Sequence, residues 1–300
     1  MKFLIVTPSL NHGQFIERCV RSVLEQELGG IELDYRVLDG GSTDDTQQIL
    51  SRLAREFAEL HVQVAPDDGQ ADALCKGFAG SDADVLAWVN ADDFLLPGSI
   101  AAVADQFSDR AADVVYGRGW FVDAGDRIVG AYPTVDFDAS LLATFCFFSQ
   151  PSTFFSRRSY EDAGEIDPGL RFCMDYDIWL RLAANKATFK HLERFLSATR
   201  LHDSTKTATG SLAFVDEIHS MLSRRLGSVP LEWQLYRNFR QRTDGDGHRS
   251  GRRPAAFGLA LIETAWKSGQ WRRLLLWSFR VFYAHLQARV LSVTRRGYPI

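Results

Sequence analysis

The sequence predicts an α/β fold, with a mostly parallel sheet flanked by helices and followed by a helical C-terminal extension. In the first 120 residues, short apolar runs alternate with amphipathic stretches, which is typical of successive strand–helix–strand units. Such units place parallel strands in one sheet with helices on both faces. Beyond about residue 205 the pattern becomes helical. The 300 residues suffice for one large α/β domain with an appendage.

The first strand and helix are predicted from the N-terminal 24 residues. The strand is the apolar run KFLIVT, which ends at Pro8. Asn11 is followed three residues later by Gln14, a spacing typical of a helix start. The helix then carries an apolar stripe, formed by Phe15, Ile16, Cys19, Val20, Val23 and Leu24.

Three more strands follow in the same rhythm. Residues 35–39 form the second strand, which leads through the turn GGSTDDT into an amphipathic helix. Residues 61–65 form the third strand, 69–80 a short helix, and 84–90 the fourth strand. The later elements are a hairpin around Gly125-Asp126, a strand and helix in 150–164, a helix in 174–187, a strand in 193–202, and further helices interrupted by a polar linker at 240–254.

Charge is distributed unevenly along the chain. The net charge is −4, but residues 1–218 carry 19 Lys and Arg against 34 Asp and Glu, whereas residues 219–300 carry 15 against 4. A basic segment of this kind indicates an anionic partner, or a tail that docks on the acidic body. A nucleic-acid partner is disfavoured, because the tail contains aromatic-rich helices without a recognisable binding module.

The tail also predicts contact with a membrane surface. Residues 271–296 mix Trp, Phe and Leu with six arginines, and the longest uncharged run is only eight residues. That is too short for a transmembrane helix and fits an interfacial amphipathic helix, so residues 265–300 are the predicted contact. The alternative is a terminal helix packed on the body with its arginines in solvent.

Cysteine usage and the N-terminus indicate a cytoplasmic location. The four cysteines lie far apart without a CxxC pair, which suits a reducing compartment and disfavours a zinc site. The N-terminus has one Lys and only four apolar residues before Thr7 and Pro8, so it resembles a first strand more than a signal peptide.

Polar and acidic residues follow each of the first four predicted strands. These segments are 7–11, 39–42, 66–72 and 90–93. In an open parallel sheet, ligands bind beyond the carboxyl ends of the strands, so the four segments predict one site. Asp92 and Asp93 repel a nucleotide phosphate unless Mg²⁺ or Mn²⁺ lies between them. A solvated turn or a helix cap near Pro97 is the competing explanation for the acidic pair.

Seven blocks of sequence resemble the family 2 glycosyltransferases, which have the GT-A fold. In order they are VTPSLN, VLDGGSTDDT, DDGQADALCKGF, VLAWVNADDFLLPG, QPSTFF, MDYDIWLRLA and RLHDSTKT. The resemblance covers residues 1–206, leaving 207–300 as a basic, mainly helical extension. It implies an inverting transfer of a sugar from a nucleotide-diphosphate donor (a UDP-, GDP- or dTDP-sugar) to an acceptor hydroxyl. The acceptor is expected to be a sugar or lipid-linked molecule in cell-surface polysaccharide or glycolipid assembly, at the inner face of the cytoplasmic membrane.

The resemblance assigns roles to individual residues. Asp175 is implied as the catalytic base, although Met174 replaces the glutamate that commonly precedes it. The metal ligands for Mn²⁺ or Mg²⁺ are implied to be Asp92, Asp93 and His202, with Asn90 in place of the family's first aspartate. Gln150 and Ser152 are implied to border the acceptor or sugar. The donor site is implied to include Thr7, Pro8, Ser9, Asn11, Asp39, Asp68, Gln70, Asp72, Lys76, Asn90, Ala91, Asp92 and Arg200, with Gly40 where the family often has a second aspartate.

Two other functions remain open on the sequence. A sugar nucleotidyltransferase also has acidic metal sites at strand ends, but it needs a Gly-rich basic loop after the first strand, and PSLNHGQF lacks one. A non-catalytic sugar-nucleotide-binding protein could keep the same fold. Retention of Asp92, Asp93 and Asp175 favours the transferase. For Asp175 the alternative role is capping of its helix, and for His202 it is a structural role.

Overall fold

The computed structural model describes residues 1–108, 111–202, 212–243 and 253–276, and within them a nine-stranded sheet forms the centre of the fold. Its strands are β1 (Lys2–Ser9), β2 (Glu32–Asp39), β3 (Leu60–Val64), β4 (Val85–Trp88), β5 (Phe94–Leu95), β6 (Val114–Val122), β7 (Ile128–Ala131), β8 (Thr153–Ser156) and β9 (Phe189–Arg200).

Helices lie between these strands and follow the last of them. They are α1 (Ile16–Leu24), α2 (Thr46–Glu56), α3 (Gln70–Phe78), α4 (Ser99–Phe107), α5 (Ala139–Leu142), α6 (Arg157–Asp162), α7 (Met174–Ala184), α8 (Leu212–Leu226), α9 (Leu231–Thr243) and α10 (Arg253–Ser268). A short 3₁₀ turn, Gln150–Ser152, precedes β8.

The sheet has a parallel half and a mixed half. The strand order is β3-β2-β1-β4-β8-β6-β9-β5, and β7 pairs with β6 beside this path. The pairs β1–β2, β2–β3 and β1–β4 are parallel, and β6 also pairs in parallel with β9. The contacts of β8 with β4 and β6 are antiparallel. Most paired residues belong to parallel pairs, so the predicted α/β fold with a mostly parallel sheet is confirmed.

Both faces of the sheet are covered, which explains why the four residues 3–6 of β1 are all apolar and buried. One core contains Phe3 and Ile5 with α1, α2 and α4, and the other contains Leu4 and Val6 with α3 and α7. Helix α3 lies very close to the sheet at Gly77, where a Cβ atom would stand 2.5 Å from Val6 Cγ1. This close packing holds the last turn of α3 against β1.

The structure confirms the predicted elements and adds others. The hairpin of β6 and β7 turns at Asp126, whose φ of 64° is left-handed. The predicted strand 193–202 is longer and begins at Phe189. The two-residue β5, which pairs with β9, was not predicted, because it is too short to show a periodic pattern. Within the predicted linker, residues 240–243 belong to α9 and 244–252 lie outside the described residues.

The C-terminal region is helical as far as it is described. Helix α8 packs against α7, and α9 packs against α8 and α10. The predicted interfacial segment, 271–296, is described only to residue 276. Among the described residues, every helix is too short or too polar to cross a membrane.

Candidate active site

A cavity of about 640 Å³ opens at the carboxyl ends of β1 and β4, the position that the strand-end argument predicts. This volume is in the range of small-molecule sites. Its walls come from the segments that follow β1, β2, β3, β4 and β9, from the turn before β8, and from the start of α7. The lining residues are Pro8, Ser9, Leu10, Asn11, His12, Gln14, Phe15, Asp44, Asp67, Gly69, Gln70, Ala73, Trp88, Asn90, Ala91, Asp92, Gln150, Phe172, Met174, Asp175 and His202.

The loops after β1 and β2 are tied together by hydrogen bonds at the entrance of the cavity. Asn11 has a left-handed φ of 57°; its N–H donates to Ser42 Oγ at 2.7 Å, and its side-chain oxygen accepts from Thr43 N at 2.8 Å. Asp39 is buried and accepts from Gly41 N, Ser42 N and Ser42 Oγ. Asp39 therefore shapes the loop from beneath and does not line the cavity.

Asp67 fills the space beside Gly40. A Cβ atom on Gly40 would stand 2.7 Å from Asp67 Oδ2, whereas Asp67 Oδ1 accepts from Gly69 N at 2.9 Å. A carboxylate from the loop after β3 thus lies beside the position where the family often has a second aspartate. Asp67 lines the cavity. Asp67 was not among the predicted site residues, although it belongs to the acidic segment that follows the third strand.

Asp92 and His202 meet at the inner end of the cavity. Asp92 Oδ2 lies 3.0 Å from His202 Nε2, and both side chains are largely buried. The His202 ring also packs on Phe15, with the ring centroids 5.1 Å apart. A carboxylate and an imidazole in contact are two ligands that can hold Mn²⁺ or Mg²⁺, with the remaining positions left for water and a diphosphate.

Asp93 is held differently from its neighbour. It is 3% exposed, and its carboxylate accepts from Arg200 N at 2.9 Å and from Asn90 Nδ2 at 3.3 Å. Burial, together with the nearby charge of Asp92, raises the pKa of Asp93 well above its usual range. A carboxyl that does not line the cavity, and whose oxygens already accept from Arg200 N and Asn90 Nδ2, is poorly placed for a metal in the cavity. We therefore assign the metal-binding geometry to Asp92 and His202.

Arg200 supports this turn from below the cavity. Its Nε donates to the Asp92 carbonyl at 2.9 Å, and its guanidinium also pairs with Asp126 of the β6–β7 hairpin and lies over the Phe15 ring. The side chain is 2% exposed. Arg200 fixes the position of the Asp92 backbone. It was expected at the donor diphosphate, but its side chain does not line the cavity.

Asp175 lies in the first turn of α7 and faces the cavity. Burial raises its pKa to about 6, and its carboxylate accepts from Tyr176 N at 2.7 Å. A carboxyl with a pKa close to neutral is suited to accept a proton. Asp177, two residues on, is fully buried and pairs with Arg181 and Arg225. The two aspartates of this block thus have separate roles.

Gln150 brings an unsatisfied acceptor to the cavity. Its Nε2 donates to the Trp88 carbonyl at 2.7 Å, whereas Oε1 is buried without a hydrogen-bond partner among the described residues. Ser9 Oγ and Trp88 Nε1, also from lining residues, are in the same condition. Buried polar groups are normally paired, so these three atoms are positions at which a polar ligand or an ordered water would find a partner. Ser152 is fully buried and bonds Ser197 and the Arg118 carbonyl, which places it behind Gln150.

The structure brings together about half of the residues expected at the site. Of the residues that do not line the cavity, Asp72 pairs with Lys76 at 2.7 Å and accepts from Asp68 N. The expected residues in the lining are Pro8, Ser9, Asn11, Gln70, Asn90, Ala91, Asp92, Gln150, Asp175 and His202, and those outside it are Thr7, Asp39, Asp68, Asp72, Lys76, Asp93, Ser152 and Arg200.

The cation site is smaller than the sequence suggested. Among the described residues, no group of three or more His, Cys, Asp or Glu side chains is arranged to hold a metal. Asn90 does not complete such a group, because its side-chain oxygen accepts from Gln70 Nε2 at 2.6 Å. Two protein ligands are nevertheless sufficient for a cation that also binds a diphosphate.

Several solved glycosyltransferases share this fold. TarS from S. aureus, in complex with UDP-GlcNAc, superposes with a TM-score of 0.63 and 16% identity, covering 88% of this chain and 80% of TarS. A mannosyltransferase from Pyrobaculum calidifontis, in complex with GDP-Man and Mn²⁺, has a TM-score of 0.55 and 15% identity, covering 94% and 80%. At these identities the similarity shows the fold, which is GT-A.

Sequence relatives are also glycosyltransferases. The chondroitin synthase of Pasteurella multocida is 24% identical over 200 residues, which cover 66% of this chain and 20% of the synthase. The chain thus spans about a fifth of the length of that relative. The family model for "Glycosyl transferase family 2" matches residues 4–179, more than half of the chain. The predicted family is confirmed: the chain belongs to glycosyl transferase family 2.

Proposed function

We propose that the chain is an inverting glycosyltransferase, of the hexosyltransferase type, that moves a sugar from a nucleotide-diphosphate donor to an acceptor hydroxyl. One observation carries the proposal. The Asp92–His202 pair and Asp175, whose pKa is about 6, line the same cavity. A cation site for a diphosphate and a base for a hydroxyl are the two groups that direct displacement at an anomeric carbon needs.

Asp175 acts as the general base. Its carboxylate takes the proton of the acceptor hydroxyl as the acceptor oxygen forms a bond to the anomeric carbon. The bond from that carbon to the diphosphate oxygen breaks on the opposite face, and the electron pair leaves with the nucleoside diphosphate. Because attack and departure take place on opposite faces, the configuration at the anomeric carbon is inverted.

Asp92 and His202 would hold Mn²⁺ or Mg²⁺ at the diphosphate. The cation, when bound, offsets the charge of the leaving nucleoside diphosphate. Asp92 is well suited to this role because Arg200 and the β4–β5 turn fix its backbone, so its carboxylate is already oriented. The Mn²⁺ in the complex of the structurally similar mannosyltransferase supports the assignment.

The donor and acceptor are proposed by class. The donor is a UDP-, GDP- or dTDP-sugar, supported by the UDP-GlcNAc and GDP-Man complexes of the two similar structures. The acceptor is a sugar or lipid-linked molecule in polysaccharide or glycolipid assembly, supported by the similarity to chondroitin synthase. Gln150 Oε1 is buried without a partner among the described residues, and it would accept a hydrogen bond from a hydroxyl of the donor sugar or of the acceptor molecule.

We further propose a transferase domain at residues 1–206 and an extension at 207–300, which contacts the inner face of the cytoplasmic membrane through residues 265–300. Helix α10 supports this contact, because Leu259, Ile262 and Trp266 share one face and are 56%, 54% and 80% exposed. Exposed apolar residues beside basic ones are typical of interfacial helices. We propose that the enzyme is cytoplasmic and works at this membrane face.

A panel of nucleotide sugars tests the function. Each donor is added with Mn²⁺, and thermal stabilisation and nucleoside diphosphate release are measured. A donor at about 100 times its dissociation constant stabilises the fold by about 2.7 kcal/mol. We expect one nucleotide class to stabilise the chain and EDTA to abolish the effect. If no donor in the panel stabilises the chain, with or without Mn²⁺, the proposal is contradicted.

A further inference from the structure

The first turn of α7, which carries Asp175, and the loop before it receive hydrogen bonds from side chains of the C-terminal helices α8 and α9. Asp175 itself receives its hydrogen bond from the adjacent backbone N–H of Tyr176. Its position therefore depends on the backbone of that turn and on the loop before it. Residues Phe172, Met174 and Asp175 all line the cavity. A shift of this segment would move the base and the cavity wall together.

Glu217 of α8 makes the most extensive of these contacts. Its carboxylate accepts three backbone N–H groups in succession, from Arg171 at 3.0 Å, Phe172 at 2.7 Å and Cys173 at 3.0 Å. Cys173 precedes the first residue of α7 and its own side chain makes no capping hydrogen bond. The Cys173 N–H lies at the start of α7, where unpaired N–H groups need acceptors, whereas the N–H groups of Arg171 and Phe172 belong to the loop before it. Glu217 therefore caps the helix start and anchors the loop before it, and we call these three hydrogen bonds together the Glu217 cap.

Two further contacts flank the base on its other side. Arg225 of α8 donates through Nε and Nη2 to the buried Asp177, at 2.7 and 3.1 Å. Trp233 of α9 donates through Nε1 to the Tyr176 hydroxyl at 3.2 Å. These partners belong to the region beyond residue 179, where the family match ends.

We propose that Glu217 is a positioning residue for the transfer reaction: by capping residues 171–173 it holds Phe172 and Asp175 toward the cavity, so that α8 completes the active site. This inference rests on the proposed function of Asp175. It assigns a role in the reaction to a residue outside the matched family region. Hydrogen bonds from three N–H groups to one carboxylate are stronger than those to a neutral oxygen, so the cap depends on the charge of Glu217.

The test compares Glu217→Ala and Glu217→Gln with Asp216→Asn. Asp216 is the adjacent carboxylate on α8, and it pairs with Arg237 of α9. Hydrogen exchange of the amides of residues 171–173 is measured first. We expect exchange to be about tenfold faster or more in Glu217→Ala, less increased in Glu217→Gln, and unchanged in Asp216→Asn. Unchanged exchange in both Glu217 variants would overturn the cap.

Steady-state kinetics then distinguish positioning from a structural contribution. With the nucleotide sugar that the donor panel identifies, we expect kcat per folded molecule to fall about 100-fold in Glu217→Ala while the donor KM changes little. Glu217→Gln should recover part of the rate, and Asp216→Asn should remain within about twofold of the wild type. A lower melting temperature with unchanged kcat would make Glu217 structural only. If the wild-type chain transfers no sugar, the proposed function fails, and the exchange data show separately whether the cap exists.

Discussion

Asp92 Oδ2 lies 3.0 Å from His202 Nε2, although the two residues are 110 positions apart in the chain. The contact joins the turn after β4 to the residue that follows β9 by two positions. It places an imidazole beside a carboxylate at the inner end of the cavity, whereas the neighbouring Asp93 is turned into the protein. The relationship implies that the two adjacent aspartates respond differently to substitution.

Asp92→Ala and His202→Ala should each weaken metal-assisted binding of a nucleoside diphosphate by about tenfold or more, because each removes one of the two proposed protein ligands. Isothermal titration of UDP and GDP with Mn²⁺ and with EDTA measures the difference. Asp93→Asn is the matched control and should keep the Mn²⁺ dependence. A loss as large in Asp93→Asn as in Asp92→Ala would return Asp93 to the metal site.

Asp175→Asn should reduce sugar transfer about 100- to 10,000-fold while donor binding stays within about twofold. The amide keeps the shape of the carboxyl but cannot accept the acceptor proton. Burial raises the pKa of Asp175 to about 6, and the base works only when ionised. The wild-type rate should therefore fall as the pH is lowered through about 6. A pH–rate profile that remains flat between pH 7 and 5 would contradict the assignment.

Asp177→Ala should destabilise the fold, and Asp177 itself has no direct role in the chemical step. Asp177 is fully buried, and its carboxylate pairs with Arg181 at 2.9 Å and with Arg225 at 2.7 Å. Removing it deletes the carboxylate that joins Arg181 to Arg225, and although Arg181 keeps its hydrogen bonds to the Ala163 and Glu165 carbonyls, the loss of a buried ion pair costs about 3 kcal/mol. Urea unfolding measures this cost. Asp162→Ala is the control, because its ion pair with Arg158 is exposed and contributes little.

The place of the cavity could be predicted from the strand ends and the motifs, but the direction of every side chain could not. Asn90 and Asp92 line the cavity because they follow a buried strand of a parallel sheet, and their predicted roles toward donor and metal stay predictions. Asp39 and Arg200 are in the expected segments but turn inward, because local hydrogen bonds decide the direction of a loop side chain. Glu217 could not be predicted, because its contact with residues 171–173 spans more than 40 positions and has no periodic signal.

Gly40→Ala should disturb the nucleotide side of the cavity through Asp67. The new Cβ would stand 2.7 Å from Asp67 Oδ2, so the carboxylate must move and weaken its hydrogen bond from Gly69 N, at a cost of about 0.5–1.5 kcal/mol. Combining it with Asp67→Ala should recover part of that cost, and a double-mutant cycle in urea unfolding measures the coupling. Gly130→Ala is the control, because its Cβ would make only an ordinary contact at 3.7 Å with Phe121. Strict additivity of Gly40→Ala and Asp67→Ala would contradict the steric argument.

Trp266→Ser should weaken binding of the chain to anionic membranes. Trp266 is 80% exposed on the face of α10 that also carries Leu259 and Ile262, so the fold itself gains little from its ring. Burying such a side chain in the interface contributes about 1.5–3 kcal/mol, so the bound fraction at limiting lipid should fall about tenfold. Sedimentation with phosphatidylglycerol vesicles measures this, with Val129→Ser of β7, 46% exposed, as the control. Equal pelleting of Trp266→Ser, Val129→Ser and the wild type would mean that this face does not contact lipid, and the basic extension would then be a docked tail.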